Sequence, residues 1–134
     1  YLAMGIQGLK SCEDCKVEQV SGIIATKPYG VTNQPDFLNG MVKLKTLLDP
    51  WELLRQLQAI EQQAGRERKE RWGPRTLDLD LIFYDDWGID TEELKVPQPD
   101  MQDRAFVLQP LAELAPQFRH PLLHQTVSQM LERV

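Results

Sequence analysis

The sequence predicts an α+β domain, and three observations carry that prediction. Two strand-like runs, residues 17–26 and 37–47, are joined by a loop alone, which reads as a hairpin and not as the strand–helix–strand crossover of a doubly wound sheet. Helical and strand patterns otherwise interleave, with a capped helix opening at Asp49-Pro50 and an apolar strand-like run over 76–84. A chain of 134 residues suits one domain and can bury a core of its own.

The elements follow in order. Residues 1–4 are apolar and end at Gly5, the pattern of a short buried strand, and 6–11 read as the end of a helix. Residues 17–26 alternate and are rich in β-branched side chains, hence a strand. Residues 27–36 hold two prolines and a glycine and form a loop. The run 37–47 alternates again, with Phe37, Asn39, Met41, Lys43 and Lys45 on one face, Leu38, Val42 and Leu44 in the core pattern, and an irregularity at Gly40. Asp49 serves as N-cap and Pro50 as first helical residue. Leu53, Leu54, Leu57 and Ile60 then keep helical spacing until Gly65 closes the helix. Residues 66–75 are a charged loop, 76–84 the strongest strand, and 85–93 an acidic, turn-rich connection. Residues 103–114 are helical up to Ala115-Pro116, and 121–134 end in another short helix.

Hydrophobic residues at 42% and charged ones at 26% are ordinary for a globular protein. A net charge of −5 weighs against a general nucleic-acid binder. No apolar run is long enough to span a bilayer, and the first residues lack the basic flank and cleavage pattern of a signal peptide, so a cytoplasmic location without membrane association is expected. Cys12 and Cys15 form a Cys-x-x-Cys, but only the remote His120 and His124 could complete a zinc set. Two reduced thiols fit better.

Against this acidic background the basic cluster Arg66, Arg68, Lys69, Arg71 and Arg75 would focus an anionic ligand. It runs into Arg71-Trp72-Gly73-Pro74-Arg75-Thr76-Leu77-Asp78-Leu79-Asp80-Leu81-Ile82. Residues two apart in a strand share a face, so Asp78 and Asp80 point the same way among apolar neighbours. Paired carboxylates repel and are costly to bury alone, and a Mg²⁺ ion with its preference for oxygen relieves both problems. An Asp-x-Asp can also be a solvated strand face. The arginines next to it, with a Gly73-Pro74 turn to place Arg75, favour a metal–phosphate site, since phosphoryl transfer needs chiefly positioning and charge neutralisation.

This motif closely resembles the signature of the 6-hydroxymethyl-7,8-dihydropterin pyrophosphokinase family of folate biosynthesis. Two more blocks resemble that family in the same order: Gln34-Pro35-Asp36-Phe37-Leu38-Asn39, and Val96-Pro97 through Asp103-Arg104-Ala105-Phe106-Val107-Leu108. The resemblance runs from about Thr26 to Pro116 and implies a ferredoxin-like βαββαβ core with additional strands and C-terminal helices. It implies transfer of pyrophosphate from ATP to the hydroxymethyl group of a reduced pterin, giving AMP, with Asp78 and Asp80 holding two Mg²⁺ ions and Arg66 and Arg75 stabilising charge on the transferring group.

The resemblance assigns the pterin to Thr26, Pro28, Tyr29, Phe37, Asn39, Trp72 and Phe106. Stacking faces and an amide that both donates and accepts suit such a heterocycle, although phenylalanines at these spacings are also compatible with a core. It assigns ATP to Gln58, Glu61, Arg68, Arg75, Gln98 and Arg104. By spacing alone, Gln58 and Glu61 are a polar helix face.

There are departures. Lys27 replaces a proline. Gln98 and Asp100 stand where the family has His and Arg, and neither can be cationic. After Gly5 a loop and most of a helix of the family's pattern are missing, so residues 1–134 are read as a single pyrophosphokinase domain lacking that piece. Fusion or association with another folate-pathway enzyme is compatible with this reading. The alternative is a non-catalytic ferredoxin-like binding or regulatory domain that kept the fold and lost the site.

Overall fold

The computed structural model describes residues 2–26, 37–66 and 77–134, with the backbone only at Phe37 and Arg66. The expected loop at 27–36 and all but Arg66 of the one expected at 66–75 therefore lie outside the described residues; Arg66 itself ends a helix.

The chain opens with helix α1, Leu2–Ser11. This corrects the strand expected over residues 1–4: Leu2–Met4 are the first turn of a helix that continues through Gly5. Leu2, Ile6 and Leu9 keep the i, i+4, i+7 spacing of one helical stripe, and Leu9 is buried. The glycine that looked like a strand end lies inside the helix, and Gly8 one turn on marks a close approach: a Cβ there would stand 2.7 Å from Ile60 Cγ2.

The hairpin is present, in two registers. Strand β1, Cys15–Val20, pairs antiparallel with β4, Val42–Thr46, setting Val17 against Leu44 and Val20 against Val42 around an irregularity at Glu18. Strand β2, Ile24–Thr26, pairs with β3, Phe37–Asn39, setting Ile24 against Asn39. At the break between the two ladders Ser21 Oγ accepts from Met41 N at 2.7 Å and donates to the Gly22 carbonyl at 2.8 Å. Gly40 lies opposite, where a Cβ would meet Ile23 Cδ1 at 2.8 Å. Leu38, expected in the core, is 57% exposed, while Val42 and Leu44 turn inward. The switch at Gly40–Met41 breaks the facing pattern of 37–47.

Helix α2, Pro50–Arg66, starts where the sequence places it. Asp49 Oδ1 accepts from Glu52 N at 2.8 Å, and Glu52 Oε1 accepts from Asp49 N at 3.2 Å, a reciprocal cap. The bond from the Glu52 amide holds the Asp49 carboxyl below its ordinary range. Gly65 does not end the helix, which runs one residue further. Leu53, Leu57 and Leu9 form a core between α1, α2 and the inner face of β1 and β4. Burying each such side chain contributes about 1.5–3 kcal/mol.

Residues 77–84 hold the second correction. Leu77 is buried, Asp78 exposed, Leu79 half-buried and Asp80 exposed, the alternation of a strand, whereas 81–84 are all buried or half-buried, and the segment belongs to no ladder among the described residues. Apolar alternation makes a segment fit for a sheet, but only a neighbour within hydrogen-bonding reach makes it a strand. A short hairpin follows: β5, Ile89–Asp90, with β6, Lys95–Val96.

After the cis Val96–Pro97 bond, a 3₁₀ turn at Met101–Asp103 leads to helix α3, Ala105–Leu114, and α4, Val127–Glu132. Thr126 and Gln129 cap α4 reciprocally. Ile82, Met101, Leu108, Leu111, Val127 and Met130 make a second core under α3 and α4. His120 is buried there, and its Nδ1 accepts from the amides of Leu122 and Leu123 at 3.1 and 3.0 Å. Burial pushes its pKa below the ordinary value, with His124 adding to the effect. Cys12 Sγ and Cys15 Sγ lie within hydrogen-bonding reach at 3.0 Å, and burial pushes the Cys15 thiol up to about 11. No helix of the described residues is long and apolar enough to cross a membrane.

Candidate active site

The site is built around residues 77–84, which three contacts hold in place. The Leu79 amide donates to Glu61 Oε2 on α2 at 2.9 Å. The Ile82 carbonyl accepts from Gln98 N at 3.0 Å, and the Tyr84 hydroxyl donates to the Leu48 carbonyl at 2.6 Å. Leu77 is buried beside Gly5 of α1. Held so, the segment turns Asp78 and Asp80 outward together, as the two-residue spacing requires.

Asp80 Oδ2 accepts from Gln98 Nε2 at 3.3 Å. The other amide atom, Gln98 Oε1, is buried without a partner. An orphaned buried acceptor is costly, so this oxygen is placed to take a hydrogen bond from a ligand or a water. Gln98 thus orients one of the two acidic residues, a contact eighteen positions apart in sequence.

From Gln98 the chain passes to Arg104, the extended residue just before α3. Arg104 is exposed, and its guanidinium carbon lies 5.8 Å from the ring centre of Phe106, itself 38% exposed on the first turn of the helix. A guanidinium resting on a ring and facing solvent is available to an anion. The β2–β3 hairpin packs against α3, tied by the bond from Gly22 N to Glu113 Oε1 at 3.0 Å. On that hairpin Asn39 Nδ2 donates to Thr26 Oγ1 at 3.4 Å, so the two polar pterin candidates are already neighbours.

The other candidates fall into two groups. Gln58 is exposed on α2, and Glu61 is engaged with the Leu79 backbone. Pro28, Tyr29, Arg68, Trp72 and Arg75 lie outside the described residues, as do the side chains of Phe37 and Arg66. Sequence reasoning missed the bracing by Glu61 and Tyr84, because contacts between a helix and a distant backbone leave no local signal.

Among the described residues no three His, Cys, Asp or Glu side chains gather as a metal cage. The donor set is the pair Asp78 and Asp80. It fits Mg²⁺, which keeps several waters and is usually held by one or two carboxylates together with substrate phosphates.

Residues 1–116 match the family described as 7,8-dihydro-6-hydroxymethylpterin-pyrophosphokinase (HPPK). A 2-amino-4-hydroxy-6-hydroxymethyldihydropteridine pyrophosphokinase of Synechocystis is 50% identical over 119 residues, which are 89% of this chain and 60% of that protein. A protein of the same name from Bacillus subtilis is 46% identical over 87% of this chain and 70% of its own length. The folic acid synthesis protein fol1 of Schizosaccharomyces pombe is 40% identical over 94% of this chain, which covers 17% of that protein. The chain therefore spans about 60% of the length of the Synechocystis relative.

Proposed function

The chain belongs to the 7,8-dihydro-6-hydroxymethylpterin-pyrophosphokinase family, and from that premise we propose that it transfers pyrophosphate from ATP to the hydroxymethyl group of 6-hydroxymethyl-7,8-dihydropterin, giving AMP. The observation that carries the reading is the outward-facing pair Asp78 and Asp80, braced by Glu61 and Gln98 and followed by Arg104 and Phe106.

Asp78 and Asp80 would hold Mg²⁺, two ions in this reading. Bound there, the metal supplies charge neutralisation of the triphosphate and polarisation of the phosphoryl group. The chain's own residues do the rest. Gln98 fixes the Asp80 carboxylate and offers Oε1 to a ligand donor. Glu61 fixes the backbone between the two aspartates. Arg104 contributes a cationic phosphate contact, and Arg66 and Arg75 stabilise charge developing on the transferring group. Thr26 and Asn39 read the polar edge of the pterin, with Phe37 and Phe106 stacking on its faces. Gln58, Arg68, Trp72, Pro28 and Tyr29 complete the two substrate pockets.

The same reading carries a ferredoxin-like βαββαβ core, supported by the antiparallel pairings of β1 with β4 and β2 with β3 and by α2 behind them. It takes residues 1–134 as one pyrophosphokinase domain. Fusion or association with another enzyme of folate synthesis is supported by the fol1 protein, which is far longer than the stretch matched.

The test is AMP release from ATP with Mg²⁺, measured with and without the reduced pterin. Pterin-dependent AMP formation is expected, lost on Asp80→Ala. Binding of a pterin analogue and a non-hydrolysable ATP analogue by calorimetry, with no AMP formed from the true substrates, would refute catalysis and establish a binding domain.

A further inference from the structure

Cys12 and Cys15 flank the turn that carries the chain from α1 into β1. The Cys15 amide donates to the Cys12 carbonyl at 3.2 Å, the first-to-fourth-residue bond of a β-turn, and the Cys12 amide donates to the Leu9 carbonyl at 3.2 Å. A turn closed in this way keeps its end Cα atoms within about 7 Å, the span that a disulfide bridges. The side chains converge as well. The two sulfurs lie 3.0 Å apart, and both residues are half-buried free thiols that a small reagent can reach from solvent.

The turn is fastened to its surroundings. The Asp14 carbonyl accepts from Leu47 N at 3.0 Å and from Thr46 Oγ1 at 3.1 Å, and Cys15 Sγ lies 3.3 Å from that same hydroxyl. Thr46 stands opposite Cys15 in the ladder of β1 with β4, so the backbone on both sides holds the sulfurs together. Metal binding does not account for the pair: among the described residues no third His, Cys, Asp or Glu side chain gathers with it. Burial holds the Cys15 thiol up at about 11, so this sulfur is not the reactive thiolate of a catalytic redox pair. A dithiol whose charged form is left unstabilised gives a disulfide that resists reduction, the reverse of strongly oxidising pairs, whose reduced form is stabilised.

We propose that Cys12 and Cys15 form a modification site, a dithiol that a low-molecular-weight disulfide of the glutathione class converts reversibly to an intrachain disulfide. The Cys12 sulfur, on losing its proton, attacks one sulfur of the reagent R–S–S–R; the reagent's S–S bond breaks, and one R–SH leaves with that proton. The Cys15 sulfur then attacks the Cys12 sulfur of the mixed disulfide, and the second R–SH leaves with the Cys15 proton. In all, two protein thiols give up two electrons and one small disulfide is reduced to two thiols. Cys15 is almost wholly protonated near neutral pH, so the first attack falls to Cys12. The bridge ties the end of α1 to the start of β1. Gly5 and Gly8 of that helix lie against Leu77 and Ile60, the chain neighbours of Asp78 and Glu61, so the bridge steadies the wall behind the acidic pair. The inference concerns thiol chemistry and holds whether or not the chain is catalytic.

Equilibration of the 134-residue chain in glutathione buffers, followed by acid quenching, alkylation and intact-mass measurement, tests this without any activity readout. With oxidised glutathione in excess the parent should lose two hydrogens and take up no alkylating agent, and dithiothreitol should restore both thiols. Cys15→Ser should stop at a single glutathione adduct on Cys12, and Cys12→Ser should form its adduct on Cys15 at least roughly tenfold more slowly. Hydrogen exchange at residues 9–15 should slow by roughly tenfold in the oxidised parent and in neither serine variant given the same treatment. Both thiols remaining open to alkylation, or a glutathione adduct persisting on the parent, would overturn the proposal. So would a bridge between two chains, seen as a dimer on non-reducing gels, and unchanged exchange in the bridged protein would refute the tie between α1 and β1.

Discussion

Replacing Glu61 by alanine tests whether this residue serves the fold of the site or the nucleotide directly. Its carboxylate oxygen lies 2.9 Å from the Leu79 amide, midway between the two acidic residues. A hydrogen bond to a charged acceptor contributes about 1.5–3 kcal/mol, and its loss leaves an amide unpaired in half-buried surroundings. Alanine is the best helix former, so α2 itself does not weaken. Glu61→Ala should therefore cost about 2 kcal/mol. With a urea m-value on the order of 2 kcal/mol/M, the midpoint should fall by about 1 M at unchanged slope. Glu61→Gln keeps an oxygen acceptor and should lose less than about 1 kcal/mol, the range of a neutral hydrogen bond. Activity should follow the same order, because a shift of the Leu79 backbone displaces Asp78 and Asp80 together. An alanine variant within about 0.5 kcal/mol of the parent would refute the bracing role, since surface changes usually stay in that range. A glutamine variant that is stable but as inactive as alanine would assign Glu61 to the nucleotide.

Four further outcomes are expected. Asp80→Ala should abolish Mg²⁺-dependent turnover with an unchanged far-UV spectrum; near-parental rates at saturating Mg²⁺ would remove the metal assignment. Asn39→Leu should weaken pterin binding far more than ATP binding in calorimetry, because a pocket built to hydrogen-bond a heterocycle suffers when a partner group is left unpaired; equal loss of both ligands would point to a folding defect. Gly8→Ala should destabilise the protein despite a helix-propensity gain of about 1 kcal/mol, because the new Cβ would stand 2.7 Å from Ile60 Cγ2. In an Ile60→Ala background the same change should be neutral or stabilising, a coupling that a double-mutant cycle measures. Stability should also fall with acidification below the ordinary histidine range: the folded pKa of His120 lies below its unfolded value, so between those two values the unfolded chain binds more protons, and stability is complete only above about pH 6.5. His120→Gln should flatten urea midpoints across that window, and an unchanged slope would show that another group is responsible.

Much was legible from the chain alone because it is local chemistry. The Asp49-Pro50 cap, the hairpin of 17–26 with 37–47, the helix before Ala115-Pro116 and the common face of Asp78 and Asp80 all follow from neighbouring residues and fixed periods. The blocks around Asn39, Asp78 and Arg104 were enough to indicate the family, which the match over residues 1–116 bears out.

What the sequence could not decide was which partner each segment meets. Residues 1–4 and 76–84 both have strand composition, yet Leu2–Met4 turn into helix because Gly5 and Gly8 let α1 lie close against Leu77 and Ile60. Residues 77–80 alternate but have no ladder among the described residues, because a cavity of about 620 Å³ lies between this segment and β4. Glu61 looked like helix surface, and only the packing of α2 beside Leu79 made it a brace. Periodicity is a property of consecutive residues, so the sequence determined which face each side chain takes. The contacts that place residues 77–84 join segments eighteen or more residues apart, and only the tertiary structure decided them.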